Sequence, residues 1–383
     1  MESYVVRMRR EFHMHPGIGF DVEETLQALR RELDTMGVSY TEEFGKSSIV
    51  ATINPEKDHF TIGVRADTDA LPIQEANDIP YKSRNDGVMH ACGHDAHTAI
   101  ALATLREIHE MRDRINCRVK FLFQPAEEYS TSGAMLMAQD GVMQDIDCIL
   151  SLHCDTNFDA GTVAFLDGAL NATSDGFKLD FYGKTAHAAN QHKGIDANVM
   201  ALRAFMDIEL TVAKEINAKK PIIFNVGAIH GGTTNNIISD HCSMFCTLRT
   251  WEDAVADYVL DKIKRIINAV ADTAGGSATF TPVKHYPIVY NDPTVNRYFR
   301  AAAAKILGED KIFQNDRGMG GEDFSYFTQQ KPGAMMRLGV RNRDKGITVG
   351  AHNDRFDIDE SALEVGVNVF VQFILDNQNG IQF

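Results

Sequence analysis

The 383 residues carry 53 acidic side chains against 38 basic ones, a formal charge of −15, which excludes the phosphate-neutralising surface of a nucleic-acid binder and disfavours anionic membranes. At roughly 150 residues per domain the length implies two compact units. Six scattered cysteines do not form the disulfide framework of a small secreted domain. With no apolar leader in residues 1–16 and no run of about 18 apolar residues, the sequence predicts a cytoplasmic protein without a membrane span.

Leu26, Leu29, Leu33 and Met36 recur on one helical face and predict a helix over 23–36. Strand-like runs follow at 48–53, 60–64, 118–123 and 148–152, with an amphipathic helix at 98–114 between the second and third. This alternation predicts an α/β fold with a mostly parallel sheet covered by helices. From about residue 173 the pattern changes: strands at 177–182, 222–229, 243–248 and 278–283 enclose helices at 196–214 and 252–273. A four-stranded antiparallel sheet with two helices fits this stretch. The first pattern resumes with a helix at 293–307, a strand at 334–340 and a helix at 361–376. The expected organisation is one domain over 1–172 and 286–383, with a second inserted over 173–285.

Open α/β sheets bind ligands at the carboxyl ends of their strands. There the sequence places Asp67 and Asp69 after the second strand, Glu127 and Glu128 after the third, His153 after the fourth and His352 after the late strand. Cys92 and His94 immediately precede the long helix. Taken singly, Asp67 and Asp69 read as turn or cap residues, His153 as a satisfied strand-end histidine, and Glu127–Glu128 as a solvated helix start. Together they supply thiolate, imidazole and carboxylate donors for first-row metals. Adjacent glutamates diverge along the backbone, so one suits a cation while the other accepts a proton from water, the chemistry of hydrolysis.

These runs carry a resemblance. Phe12-His13-Met14-His15-Pro16, Arg65-Ala66-Asp67-Thr68-Asp69, Cys92-Gly93-His94-Asp95, Pro125-Ala126-Glu127-Glu128, Gly183 to His187, Gly320-Gly321-Glu322-Asp323-Phe324 and Ala351-His352-Asn353 resemble the dinuclear metallopeptidases of the aminoacylase and carboxypeptidase type. The similarity is to the N-acyl amino acid amidohydrolase branch, which includes hippurate hydrolases, auxin-conjugate hydrolases and N-acetyl-diaminopimelate deacetylases. It implies two divalent ions per subunit (zinc, manganese, nickel or cobalt) and an inserted lid that pairs subunits into a homodimer or higher oligomer. By motif position it implies Cys92, His94, Glu128, His153 and His352 as ligands, leaving open whether Cys92 bridges both ions. Glu127 becomes the general base, and His187 a lid histidine that steadies the oxyanion of a neighbouring site. Asp69 joins the catalytic set, while Asn236 and Arg249 become lid contacts for a substrate carboxylate.

Gly17, Thr68, Gln191, Ser239 and Asp354 depart from the branch's usual residues without removing a ligand or the base. The expected function is metal-dependent hydrolysis of N-acyl amino acids, with dipeptidase or carboxypeptidase action on the same site as the alternative. A non-catalytic relic would have little reason to retain Glu127 and five donors together.

Overall fold

Four parallel strands at the centre of a larger sheet organise the protein, whose computed structural model describes residues 2–383. In chain order the elements before residue 172 are α1 (Tyr4–Met14), α2 (Glu23–Met36), β1 (Tyr40–Thr41), β2 (Ile49–Ile53), β3 (Thr61–Asp67), α3 (His94–Glu110), β4 (Arg118–Gln124), α4 (Gly133–Gln139), β5 (Cys148–Asp159), β6 (Val163–Phe165) and β7 (Gly168–Asn171). Next come β8 (Ser174–Tyr182), β9 (Ala186–His187), α5 (Ala197–Glu215), β10 (Ile222–Gly231), β11 (Ile237–Ile238), β12 (His241–Thr250), α6 (Asp253–Ala274) and β13 (Ser277–Tyr286). The chain closes with β14 (Val289–Asn291), α7 (Pro293–Leu307), β15 (Ile312–Gln314), α8 (Ser325–Thr328), β16 (Gly333–Arg341) and α9 (Leu363–Asn377). No helix among the described residues is long and apolar enough to cross a membrane.

The first unit comprises the chain to Leu170 with Val289–Asp316 and Asp323–Phe383. Its sheet runs β1-β2-β4-β3-β5-β16-β6-β15, and β4, β3, β5 and β16 are mutually parallel. The expected mostly parallel sheet is therefore present. Helix α3 packs against α1, α9 and β3 and is buried on nearly every face, so it carries little amphipathic signal. It starts at His94 rather than residue 98, placing a candidate ligand in its first turn. Strand β5 runs to Asp159 rather than stopping at 152. Its pairing with β3 ends at Leu150, but its pairing with β16 continues through Cys154 and Asp155. Gly17 is packed so that a Cβ would lie 1.9 Å from Asp21 O.

The second unit comprises Asn171–Ile288 and Arg317–Glu322. Its antiparallel sheet has the order β10-β12-β8-β13. Phe177, Leu179, Met244 and Leu248 form a core with Met200, Ala204 and Ile208 of α5 and Val259, Ile263 and Ile267 of α6. This is the four-stranded, two-helix arrangement expected from the sequence. The short segment Arg317–Glu322, which the sequence reading assigns to the other domain, is tied here by Trp251 Nε1 donating to Gly318 O and Arg249 Nη1 donating to Met319 O.

Candidate metal centre

Strand ends and tight turns of the first unit bring seven of the expected residues together. Cys92 and His94 flank Gly93, which has φ +88°, and a Cβ there would sit 3.1 Å from Cys154 Cβ. Both facts favour glycine between the two donors. His94 Nδ1 lies 2.8 Å from the backbone oxygen of Asp69. A carbonyl only accepts, so Nδ1 carries the hydrogen and Nε2 is left for another partner. His153 repeats the device: Nδ1 donates to Cys154 O at 2.7 Å, and Nε2 stands 3.5 Å from Cys92 Sγ.

Glu127 and Glu128 follow Ala126, a non-glycine residue at φ +58°, and His352 itself has φ +64°. Such left-handed positions are held only by their surroundings. At the first, Asp69 accepts the main-chain N–H groups of both glutamates. At the second, His352 N–H donates to Ala91 O at 2.7 Å. His352 Nε2 then lies 2.9 Å from Glu128 Oε1.

Donor atoms of Cys92, His94 and His153 fall within 4.8 Å of one another, and so do those of Cys92, Glu128 and His352. Cys92 thus belongs to two three-donor groups. Glu127 stands within the same distance of His94 and Glu128 and is buried. His94 Nε2 is buried without a hydrogen-bond partner among the described residues, as a ligand atom facing a cation would be. The donor set therefore fits divalent metals of the first transition row.

The electrostatics agree. Burial pushes the Cys92 thiol up while His94 pulls it down, with a net rise; a bound cation is what holds such a sulfur as thiolate. Burial opposes charge on His94, but Asp67 and Cys92 hold its pKa well above the ordinary value. Metal binding there displaces a proton. Burial raises Glu128, and His352 and His94 outweigh that and keep it ionised. His153 is pushed down by burial, with Arg337 and His97 adding to the effect, so it presents a neutral lone pair.

Beneath the donors lies a network in which the sequence singles out only His97 for a supporting place, either as a partner that orients a ligand or as a helix-start packing residue. Buried Arg65 donates to Gln124 Oε1 at 2.7 Å, Asp67 Oδ2 at 2.9 Å and Asp323 Oδ1 at 2.7 Å. His97 Nδ1 meets Asp67 Oδ1 at 2.6 Å and its Nε2 accepts from Cys154 N–H. With both nitrogens engaged, His97 supports the site as a neighbour of the ligands. Of these partners, Arg65, Asp67 and Asp323 lie in the quoted motifs, and Gln124 directly precedes one of them.

The remaining candidates belong to the second unit. His187 and Asn236 are neighbours there: β9 pairs with β11, and Ala188 N–H donates to Asn236 O. His187 Nδ1 accepts from Ala189 N–H at 3.1 Å, which fixes the hydrogen on Nε2. Arg249 lies on β12 opposite Ile223.

A thiol shared by two donor groups, one completed by two imidazoles and the other by an imidazole and a carboxylate, with a buried glutamate beside them, defines a metal-dependent hydrolase. The chain belongs to peptidase family M20/M25/M40, whose signature matches residues 63–376. It is similar to thermostable carboxypeptidase 2 of Saccharolobus solfataricus, at 32% identity over 370 residues, covering 96% of this chain and 93% of that protein. It is also similar to N-acetylcysteine deacetylase of Bacillus subtilis, at 31% identity over 369 residues, covering 96% and 95%. The crystal structure of a dinuclear metal-binding M20 peptidase from Bacillus subtilis matches with a TM-score of 0.82 at 29% identity, covering 97% of each chain. The protein is a metal-dependent hydrolase of amide bonds.

Proposed function

We propose that this hydrolase removes the acyl group from N-acyl amino acids with two divalent ions, for which Cys92, His94, Glu128, His153 and His352 would be the ligands. The observation that carries the reading is the membership of Cys92 in both donor groups with Glu127 beside them. The ions, when bound, supply a Lewis acid for the acyl oxygen and lower the pKa of water towards neutrality. Glu127 accepts the proton of the attacking water and returns it to the leaving amine. Asp69 aims that carboxylate through the backbone. His187, with its hydrogen on Nε2, offers a donor to the developing oxyanion, and Asn236 and Arg249 receive the substrate carboxylate.

Self-association suits the second unit. Val199, Leu202, Met206 and Leu210 of α5 are between 51% and 64% exposed and form one stripe at helical spacing. β10 is an unpaired sheet edge.

The test is turnover of acetyl and benzoyl amino acids beside dipeptides, with metal content measured on the same preparation. Glu127→Gln should keep its metal and lose about 10²- to 10⁴-fold in kcat. Wild-type rates in that variant remove Glu127 from the mechanism, and turnover of dipeptides alone replaces the acylase reading with the peptidase one. Mixing inactive His187→Ala with inactive Glu127→Gln protein should restore activity if His187 serves a neighbouring subunit, and no recovery excludes that arrangement.

A further inference from the structure

His13, at the end of α1, has both ring nitrogens engaged by carboxylates. Nδ1 lies 2.7 Å from Asp95 Oδ2 and Nε2 3.2 Å from Glu75 Oε1, with all three side chains wholly buried. Ionised carboxylates only accept, so both contacts are satisfied together when both nitrogens carry hydrogen. Burial and Arg9 oppose that charge, yet Asp95 and Glu75 outweigh them and hold the His13 pKa above its ordinary value. Arg9 supports the same carboxylate, its Nε lying 2.7 Å from Asp95 Oδ2.

The two carboxylates lead to different ligand segments. Asp95 is the second residue of α3 and follows His94 directly. Glu75 accepts from Ser83 N–H at 2.8 Å and from Asn77 Nδ2 at 3.2 Å. Asn77 Nδ2 also donates to Phe356 O at 2.9 Å, and Ala76 N–H donates to Asp354 O at 2.8 Å. The loop that holds Glu75 is thereby laced to the segment just after His352. His94 and His352 belong to different donor groups, joined at Cys92.

We propose that His13 is a positioning residue that clamps the His94 and His352 segments to one another, through Asp95 and Glu75, and so couples the filling of the two metal sites. It touches no ligand itself. An ion held at either group fixes its own segment, and the carboxylate–imidazole–carboxylate bridge passes that order to the other, so the second ion meets ligands already in place.

The inference rests on the two-ion reading above, and the experiment separates the two. Metal-free full-length protein is titrated with cobalt(II) against a chromophoric chelator, and the visible cobalt spectrum is recorded at each step. Wild type that binds fewer than two equivalents defeats the two-ion reading. Given two equivalents in wild type, His13→Gln should bind at least one of them about 10- to 100-fold more weakly, fill in two resolved steps and show altered cobalt bands. His15→Gln, a neighbour whose partner Glu24 is exposed, should match wild type throughout. Thermal melting of the metal-free proteins monitors the fold. Should His13→Gln not fold, Glu75→Gln, which spares the His13–Asp95 contact, decides by the same readout. Two equivalents bound with wild-type affinity and spectrum by the folded variant overturn the proposal.

Discussion

Asp69 accepts the main-chain N–H of Glu127 through Oδ1 at 3.0 Å, and its other oxygen takes that of Glu128 at 3.1 Å. One carboxylate therefore sets the direction of both glutamates, while the carbonyl of the same residue orients His94. In Asp69→Asn one N–H keeps an acceptor and the other faces an amide donor. Steady-state kinetics should show kcat lowered about 10- to 100-fold with KM near wild type. A wild-type kcat would show that the turn holds without this carboxylate.

Cys92 should be slow to alkylate in the metal-loaded protein and fast after chelation, because the ion blocks the sulfur that it ionises. Cys92→Ser should lower metal occupancy far more than Cys148→Ser, since Cys148 lies in the sheet core. Equal labelling rates with and without metal would exclude ligation by Cys92.

Asp323 takes Arg65 on Oδ1, and on Oδ2 it takes Gln124 at 2.8 Å and Ser132 at 2.7 Å. Removing it leaves a guanidinium buried with part of its charge uncompensated. Asp323→Ala should cost about 3–5 kcal/mol in urea unfolding of the metal-free protein. A loss below about 1 kcal/mol would mean that Asp67 and Gln124 carry Arg65 alone.

In the second unit, His285 Nδ1 meets Asp175 Oδ1 at 2.6 Å. The Asp175 hydrogen bond outweighs burial and raises the His285 pKa above 6.5. A raised histidine stabilises most fully below its unfolded value and loses that contribution as pH climbs through the folded one. Stability should therefore fall from about pH 6.5 upwards by a small, salt-sensitive increment, since His285 is half exposed. His285→Gln should flatten that part of the profile. An unchanged slope would assign the pH dependence to other groups.

The central strands are legible because buried parallel strands read as continuous apolar runs, whereas the candidate donors stand out by residue type, clustered in the turns around those strands and at the start of α3. Helix α1 is not legible: Val5, Met8 and Phe12 are buried, but so are Arg9 and His13 beside them, which breaks the apolar stripe. The support beneath the donors was equally hidden. Arg65 and Asp323 are 258 positions apart and His13 and Asp95 are 82 apart, and nothing local marks such pairs as partners. His153 lies beyond the last residue that pairs with β3, although its strand runs on past it, because β5 loses β3 after Leu150 while its pairing with β16 continues.

Strand β16 sits inside the large sheet, between β5 and β6, yet it is synthesised after all four strands of the antiparallel sheet. A nascent chain that ends near residue 300 already holds every strand and helix of the smaller unit's sheet, while β5 shows the flank that Gly333 to Arg341 will later cover. That flank is an open edge able to pair with other chains. His352 lies further along still. Synthesis therefore closes the sheet with β16 before it supplies His352, the last of the candidate donors in chain order.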